Sequence, residues 1–330
     1  MVVHSLKLDR EQREGTWLGL DLGGTKVALR SETDGEEVRE HVFHWRGRGL
    51  ESDLEQLRAE VSLLRQQVPG GFDAVGVALP ASVGPDGLVS AWPSRPEWTG
   101  LDIRRTFKEL FGDTPVRWAD DGDLGALAEA RAAGCDDVLY IGVGTGVGGG
   151  LMSGGVLLPG PDRGSFELGH LVTDTDGPKC PCGRRGCLQA TASGPATLAR
   201  AARLRGADVA YEELQQGLLA DEEWAVQAVD RSCHRLAVAI TGVRELVHSH
   251  LVVIGGGFAA GLPSFGETVA RHTASLARPT APAPRVRMSL LGGLSSLHGA
   301  VALARLTGQR ATAATVLVHP HMARRTRPDA

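Results

Sequence analysis

Two segments of one design govern what this chain can fold into. Each is an apolar run that ends in a glycine turn and resumes as a second run. The first goes from Trp17 to Leu22, turns through Gly23-Gly24-Thr25 and resumes from Val27 to Arg30. The second goes from Val138 to Val143, turns through Gly144-Thr145-Gly146 and continues from Gly149 to Met152. Strand, tight turn, strand is a hairpin. Asp21-Leu22-Gly23-Gly24-Thr25-Lys26 is therefore not a Walker loop, which needs a longer glycine stretch and a lysine that opens a helix. One hairpin at the head of each half implies a duplicated α/β fold with a ligand cleft between the halves.

The rest of the chain fits that plan. Leu54, Leu57, Val61 and Leu64 recur at helical spacing within 51–67. Ala74 to Leu79 reads as a buried strand stopped by Pro80, 102–111 as a short helix, Val116 to Ala119 as a strand and Leu124 to Ala133 as a helix. Helices are expected at 193–205, 221–248 and 295–306, with a buried strand from Leu251 to Ile254. Residues 1–15 are expected to fray and the tail beyond about 310 to be loose.

The turns carry chemistry of their own. Glycine lets the backbone approach a phosphate and aim N–H groups at it. Thr25 adds a hydroxyl, and Asp21 is placed to hold Mg2+ through water, because Mg2+ keeps part of its hydration shell. A plain glycine turn beside a solvated Lys26 is the alternative for one such loop; two such loops favour a nucleotide. Ile254-Gly255-Gly256-Gly257-Phe258 ends a strand in a way that suits a flat base lying near backbone.

Cys180, Cys182 and Cys187 lie in the run Lys179 to Cys187, a little downstream of His170. Three thiols and one imidazole make a closed tetrahedral zinc shell, which is structural rather than catalytic. The alternative is three reduced cysteines and a surface histidine. The chain has 5 cysteines, an odd and clustered number that argues for metal over disulfides. A reducing, cytoplasmic setting follows, with Cys135 and Cys233 as ordinary thiols. The formal net charge of −4 points to neither nucleic acid nor an anionic membrane as partner. No apolar run has the length of a signal peptide or a membrane span.

Taken together, Asp21 to Lys26, Gly144 to Gly150, Glu167-Leu168-Gly169-His170 and the Cys180 to Cys187 segment resemble the ROK family of bacterial sugar kinases and sugar-responsive repressors. The resemblance spans about 17–306. It implies an α/β, actin/hexokinase-like ATPase fold of two lobes around a nucleotide and sugar cleft. The smaller N-terminal lobe would comprise 1–121 with about 295–330, and the larger lobe 122–294. It also implies ATP with Mg2+, a structural Zn2+ and a homodimer. Asp21, Gly23, Gly24, Thr25, Lys26, Gly144, Thr145, Gly146, Gly255, Gly256 and Gly257 would hold the nucleotide and its cation, with polyphosphate left open as donor.

Within Ala119-Asp120-Asp121-Gly122-Asp123, Asp121 aligns with the aspartate of the family pattern Glu-Asn-Asp-Ala-Asn, which is the general base. Position alone would make this segment an acidic helix cap. Ser94, Asp120, Asp121, Glu167, His170 and Gln189 would line the acceptor pocket, His170 serving metal and sugar together. This pocket departs from the family. Asp120 replaces asparagine, Gln189 replaces glutamate, Pro80-Ala81 replaces Pro-Gly, and Pro93-Ser94-Arg95 replaces Pro-Asn-Leu. The chain has no asparagine at all, so drift accounts for some of these, but not for Gln189. Asp120 is suited to a ring amine and the Gln189 amide to a carbonyl. The expected acceptor is a modified glucose, an amino sugar or a C7-cyclitol of an antibiotic pathway, phosphorylated on its primary hydroxyl. Ordinary glucokinase is the alternative, then a non-catalytic sugar-binding regulator. A DNA-binding repressor is disfavoured by the short stretch before the first strand.

Overall fold

The computed structural model describes residues 15–33, 37–68, 70–160 and 164–316. The first half contains β1 (Thr16–Leu22), β2 (Lys26–Thr33), β3 (Glu37–His44), α1 (Leu50–Gln66), β4 (Ala74–Ala78), β5 (Ser82–Val83), β6 (Val89–Ala91), α2 (Ile103–Phe111) and β7 (Val116–Ala119). Next come α3 (Asp121–Ala133), β8 (Val138–Val143), β9 (Val147–Ser153), β10 (Val156–Leu158), α4 (Leu188–Ala192), α5 (Gly194–Arg205), α6 (Tyr211–Leu219) and α7 (Glu223–Val247). The chain closes with β11 (Leu251–Gly255), α8 (Gly257–Ala260), α9 (Phe265–Ser275), β12 (Arg285–Met288) and α10 (Ser295–Val316).

The main sheets run β3-β2-β1-β4-β7 and β10-β9-β8-β11-β12. In each, an antiparallel trio is extended by two parallel strands. The same connectivity twice over is the duplication the two hairpins foretell. The central strands β4 and β11 are buried throughout, as strands covered on both faces must be.

Helix α10 packs on the first sheet and on α3 at backbone distance. A Cβ on Gly76 of β4 would lie 1.9 Å from the Ala300 carbonyl oxygen, and one on Gly299 would lie 2.0 Å from that of Leu124. Leu18, Leu20, Leu57, Val77 and Trp98 belong to the core of the first half. Leu139, Ile141, Leu236, Ile240 and Phe265 belong to that of the second. Leu124, Leu127, Tyr140, Ala300 and Leu303 form a third core from α3, β8 and α10. Asp121 and Ser296 thus stand at the starts of two helices packed on each other.

The structure departs from expectation at particular elements. Strand β3 was not anticipated, because its valines Val38 and Val42 are exposed and its neighbours are charged. Edge strand β12 reads Arg-Val-Arg-Met and gives no apolar run. Helices α6 and α9 were likewise missed. Helix α3 begins at Asp121, not Leu124, because the Asp120 side chain caps it. Helix α10 continues to Val316, beyond the expected end at 306, since 307–316 lacks a proline. Of the segments expected to fray or be loose, 311–316 is instead helical within α10, while 1–14 and 317–330 lie outside the described residues.

Candidate active site

The first turn is held from behind. Trp45 Nε1 donates to the Gly23 carbonyl at 2.8 Å, Arg95 Nε to that of Gly24 at 3.1 Å, and the Trp45 amide to that of Thr25 at 3.2 Å. With these carbonyls engaged by the protein, Thr25 and Lys26 are the exposed residues of the turn. Ser94 packs on it: a Cβ at Gly24 would lie 2.5 Å from the Ser94 Oγ.

The second turn is held in the same manner. Gly144 N donates to the Gly146 oxygen at 3.0 Å and Gly194 N to the Gly144 oxygen at 2.8 Å. Thr145 is exposed, and a Cβ on Gly144 would meet open space. The glycine triplet after β11 is less uniform. A Cβ on Gly255 would collide with the Tyr140 hydroxyl, and one on Gly256 (φ 87°) with the Val143 oxygen at 2.4 Å. Packing alone therefore demands those two glycines, whereas Gly257 borders open space.

Asp21 and Asp121 lie near enough for the charge of one to act on the other. Asp21, next to last in β1, lies opposite Ala28 and Ala78, and Ser296 Oγ of α10 donates to its Oδ2 at 2.6 Å. Burial pushes the Asp21 carboxyl up to about 6 against that hydrogen bond; the charge of Asp121 adds to the rise and Lys26 opposes it. The Asp121 side chain reaches solvent, yet the cleft walls surround it, and this burial holds its carboxyl above the usual range. Its Oδ1 accepts from Gly122 N at 2.8 Å. Asp120 accepts from the same amide at 3.0 Å, so the helix-cap role is real. Burial first, then repulsion from Asp121 and Asp123, raises the Asp120 carboxyl.

The sequence offers Asp123 only as part of an acidic helix-cap segment. The structure buries it beside Asp121, 1% exposed, with Oδ1 accepting from Phe166 N at 3.4 Å and Oδ2 without a partner among the described residues. Burial raises its carboxyl to about 8, with Asp121 and Glu167 pushing the same way. Glu167 is held by Ser165 Oγ at 2.8 Å and lies 4.0 Å from His170 Nε2. Asp120, Asp121, Asp123 and Glu167 thus lie within electrostatic reach of one another, and burial, with the charge of neighbours, favours the protonated form of the three aspartates. Ser296 and Arg95 were also missed; serine carries no motif signal, and Arg95 reveals its partners only in the fold.

The four donors of the knuckle converge. His170 Nδ1 is 3.8 Å from Cys180 Sγ, Cys182 Sγ is 3.6 Å from Cys187 Sγ, and all four ligand atoms lie within 4.8 Å of one another. Zinc–sulfur bonds of about 2.3 Å in a tetrahedron put sulfurs a little under 4 Å apart, so the donors fit that cation. A Cβ on Gly186 (φ 70°) would lie 1.4 Å from the Asp174 oxygen, so the loop closes only with glycine there. The Cys182 thiol is drawn down to about 6, chiefly by the Arg184 backbone amide. Cys233, by contrast, is fully buried and its thiol pushed far up, as an inert core thiol.

Gln189 on α4 lies beside the knuckle. Its Nε2 donates to Cys180 Sγ at 3.3 Å, and its Oε1 lies 3.1 Å from where a Cβ of Gly146 would sit. The amide thus links the thiol cluster to the second turn.

A duplicated sheet pair with two glycine turns around a carboxylate cleft defines an actin/hexokinase-like ATPase fold. The chain belongs to the ROK family, whose pattern residues 17–307 match. It is 56% identical over 291 residues to the kanosamine kinase of Amycolatopsis mediterranei (strain S699), covering 88% of this chain and 96% of that protein. It is 31% identical over 276 residues to the glucokinase of Thermotoga maritima, covering 76% and 84%. The ROK hexokinase of Thermus thermophilus superimposes with a TM-score of 0.80 at 30% identity, covering 89% of this chain and 99% of that one.

Proposed function

We propose that this chain transfers the γ-phosphoryl group of ATP to the primary hydroxyl of a 3-amino sugar of the kanosamine type. It is a sugar kinase, and the kinase named for kanosamine is far more similar to it than the glucokinase. The observation that carries the acceptor is the clustering of Asp120, Asp121, Asp123 and Glu167, a set of carboxyls to which a positive charge on the acceptor would be complementary. An ammonium on the sugar ring supplies that charge, and a neutral hydroxyl does not.

In this reading Asp121 accepts the proton of the attacking hydroxyl as its oxygen forms the bond to phosphorus. The bond between that phosphorus and the bridging oxygen of ADP breaks in line. Asp21, fixed by Ser296, would hold Mg2+, while Lys26 and the turns at Gly23–Thr25 and Gly144–Gly146 would cradle the phosphates. Mg2+ when bound neutralises the phosphate oxygens. Asp120 turns its uncapped oxygen to the amine. Gly257 borders the base, and Gln189 secures the knuckle to the second turn. His170, Cys180, Cys182 and Cys187 would hold a structural zinc that orients Glu167 and α4. Lobes of 1–121 with 295–330 and of 122–294 closing on both substrates would keep out water. The same reading includes a cytoplasmic homodimer serving an antibiotic pathway.

Coupled ADP release over glucose, mannose, N-acetyl and 3-amino sugars and a C7-cyclitol tests this. A kcat/KM for the 3-amino sugar well above that for glucose is expected. Preference for glucose would make the protein a glucokinase and Asp120 a neutral replacement.

A further inference from the structure

Arg95 stands where the family pattern Pro-Asn-Leu has leucine, yet it is 3% exposed. Its Nη1 lies 2.5 Å from Asp53 Oδ2 and 3.2 Å from Glu97 Oε1. Nη2 donates to the Gly47 carbonyl at 3.1 Å and Nε to that of Gly24 at 3.1 Å. The guanidinium lies 4.6 Å above the Trp45 ring. Asp53, 1% exposed, also takes the Trp98 indole N–H at 2.9 Å. Burying this ion pair adds little net stability, because desolvating both charges offsets their attraction.

The gain lies in the turn. Arg95 holds the Gly24 carbonyl, and Trp45, on which Arg95 stacks, holds those of Gly23 and Thr25. The glycines that let a phosphate approach also make peptide rotation easy. A rotated peptide would aim its carbonyl oxygen at the phosphates and repel them. We propose that Arg95, anchored by Asp53, is a positioning residue that keeps the Gly23–Thr25 carbonyls turned away from the nucleotide. The inference rests on the reading that this turn receives nucleotide phosphates.

The test uses the full chain and three variants: Arg95→Leu, the paired Arg95→Leu/Asp53→Leu and Arg95→Lys. The paired variant leaves no unpartnered buried charge. The lysine keeps a cation for Asp53 but lacks the fork that reaches Gly24. Affinity for AMP-PNP with Mg2+ is measured by calorimetry, alongside melting temperature and steady-state kinetics. The expected result is a weakening of nucleotide binding by about tenfold in the paired variant, from the loss of one or two oriented hydrogen bonds. KM for the acceptor should stay within about twofold, and Arg95→Lys should weaken nucleotide binding by more than its change in melting temperature accounts for. Should the leucine variants not fold, the lysine variant decides alone. Nucleotide affinity unchanged in folded variants, or weakened only in step with melting temperature, overturns the inference. A native protein that binds AMP-PNP but phosphorylates no acceptor instead refutes the kinase reading and leaves the calorimetric comparison standing.

Discussion

Replacing Asp123 by asparagine tests the electrostatics of the cleft at one atom. The carboxyl has one oxygen on the Phe166 amide and one with no partner among the described residues. Its folded pKa is about 8 against an ordinary 3.8. From about pH 4 to about pH 8 the folded state therefore holds a proton that the unfolded chain has released. Stability from this group is fully present below the unfolded value and is lost as pH rises through the folded one. The slope is about 1.4 kcal/mol per pH unit, and the whole window amounts to something on the order of 5 kcal/mol. Asparagine keeps an oxygen for Phe166 and has nothing to titrate. It is also the residue of the family pattern at this point, so the variant should fold. Urea unfolding of both proteins at several pH values between about 5 and about 8 reads the difference, in which the other acids largely cancel. The variant should gain on the native protein with each step up in pH. A difference that stays flat, or native protein gaining as pH rises, would refute the argument that burial keeps Asp123 protonated.

Asp121→Asn should lower kcat by about 10²- to 10⁴-fold with little change in KM, as loss of a general base does; a kcat within tenfold of native would remove Asp121 from that role. Because Asp121 is raised above the usual carboxylate range, the acid limb of kcat/KM should lie nearer neutrality than an ordinary aspartate would place it. Asp120→Asn removes the proposed partner of the amine and should shift the amino sugar to glucose ratio of kcat/KM by roughly 10- to 100-fold toward glucose. An unchanged ratio would place amine recognition elsewhere. Cys180→Ser should abolish stoichiometric zinc in elemental analysis and lower the melting temperature, as should prolonged chelation of the native protein; native protein free of zinc with undiminished melting would sink the metal reading.

Sequence by itself determined much of this protein. The two hairpins and their glycine turns could be read because strand runs and tight turns are local, and a glycine turn declares itself within six residues. The Cys180 to Cys187 knuckle could be read because metal geometry restricts ligand spacing. Asp121 was legible through the resemblance alone, since Asp120-Asp121-Gly122-Asp123 also suits a helix cap, and Asp120 does cap α3. Tertiary structure decided the rest. Edge strands β3 and β12 owe their form to neighbours, because one face of each lacks an apolar pattern. Ser296 meets Asp21 across 275 positions, and Arg95 meets Gly24 across 71. No local rule links residues so far apart. Asp123 stands out only once folding has buried it and left one oxygen without a partner among the described residues. A pKa depends on solvent exclusion and on distant charges, and those exist only once α3, α10 and the two sheets have closed around the cleft.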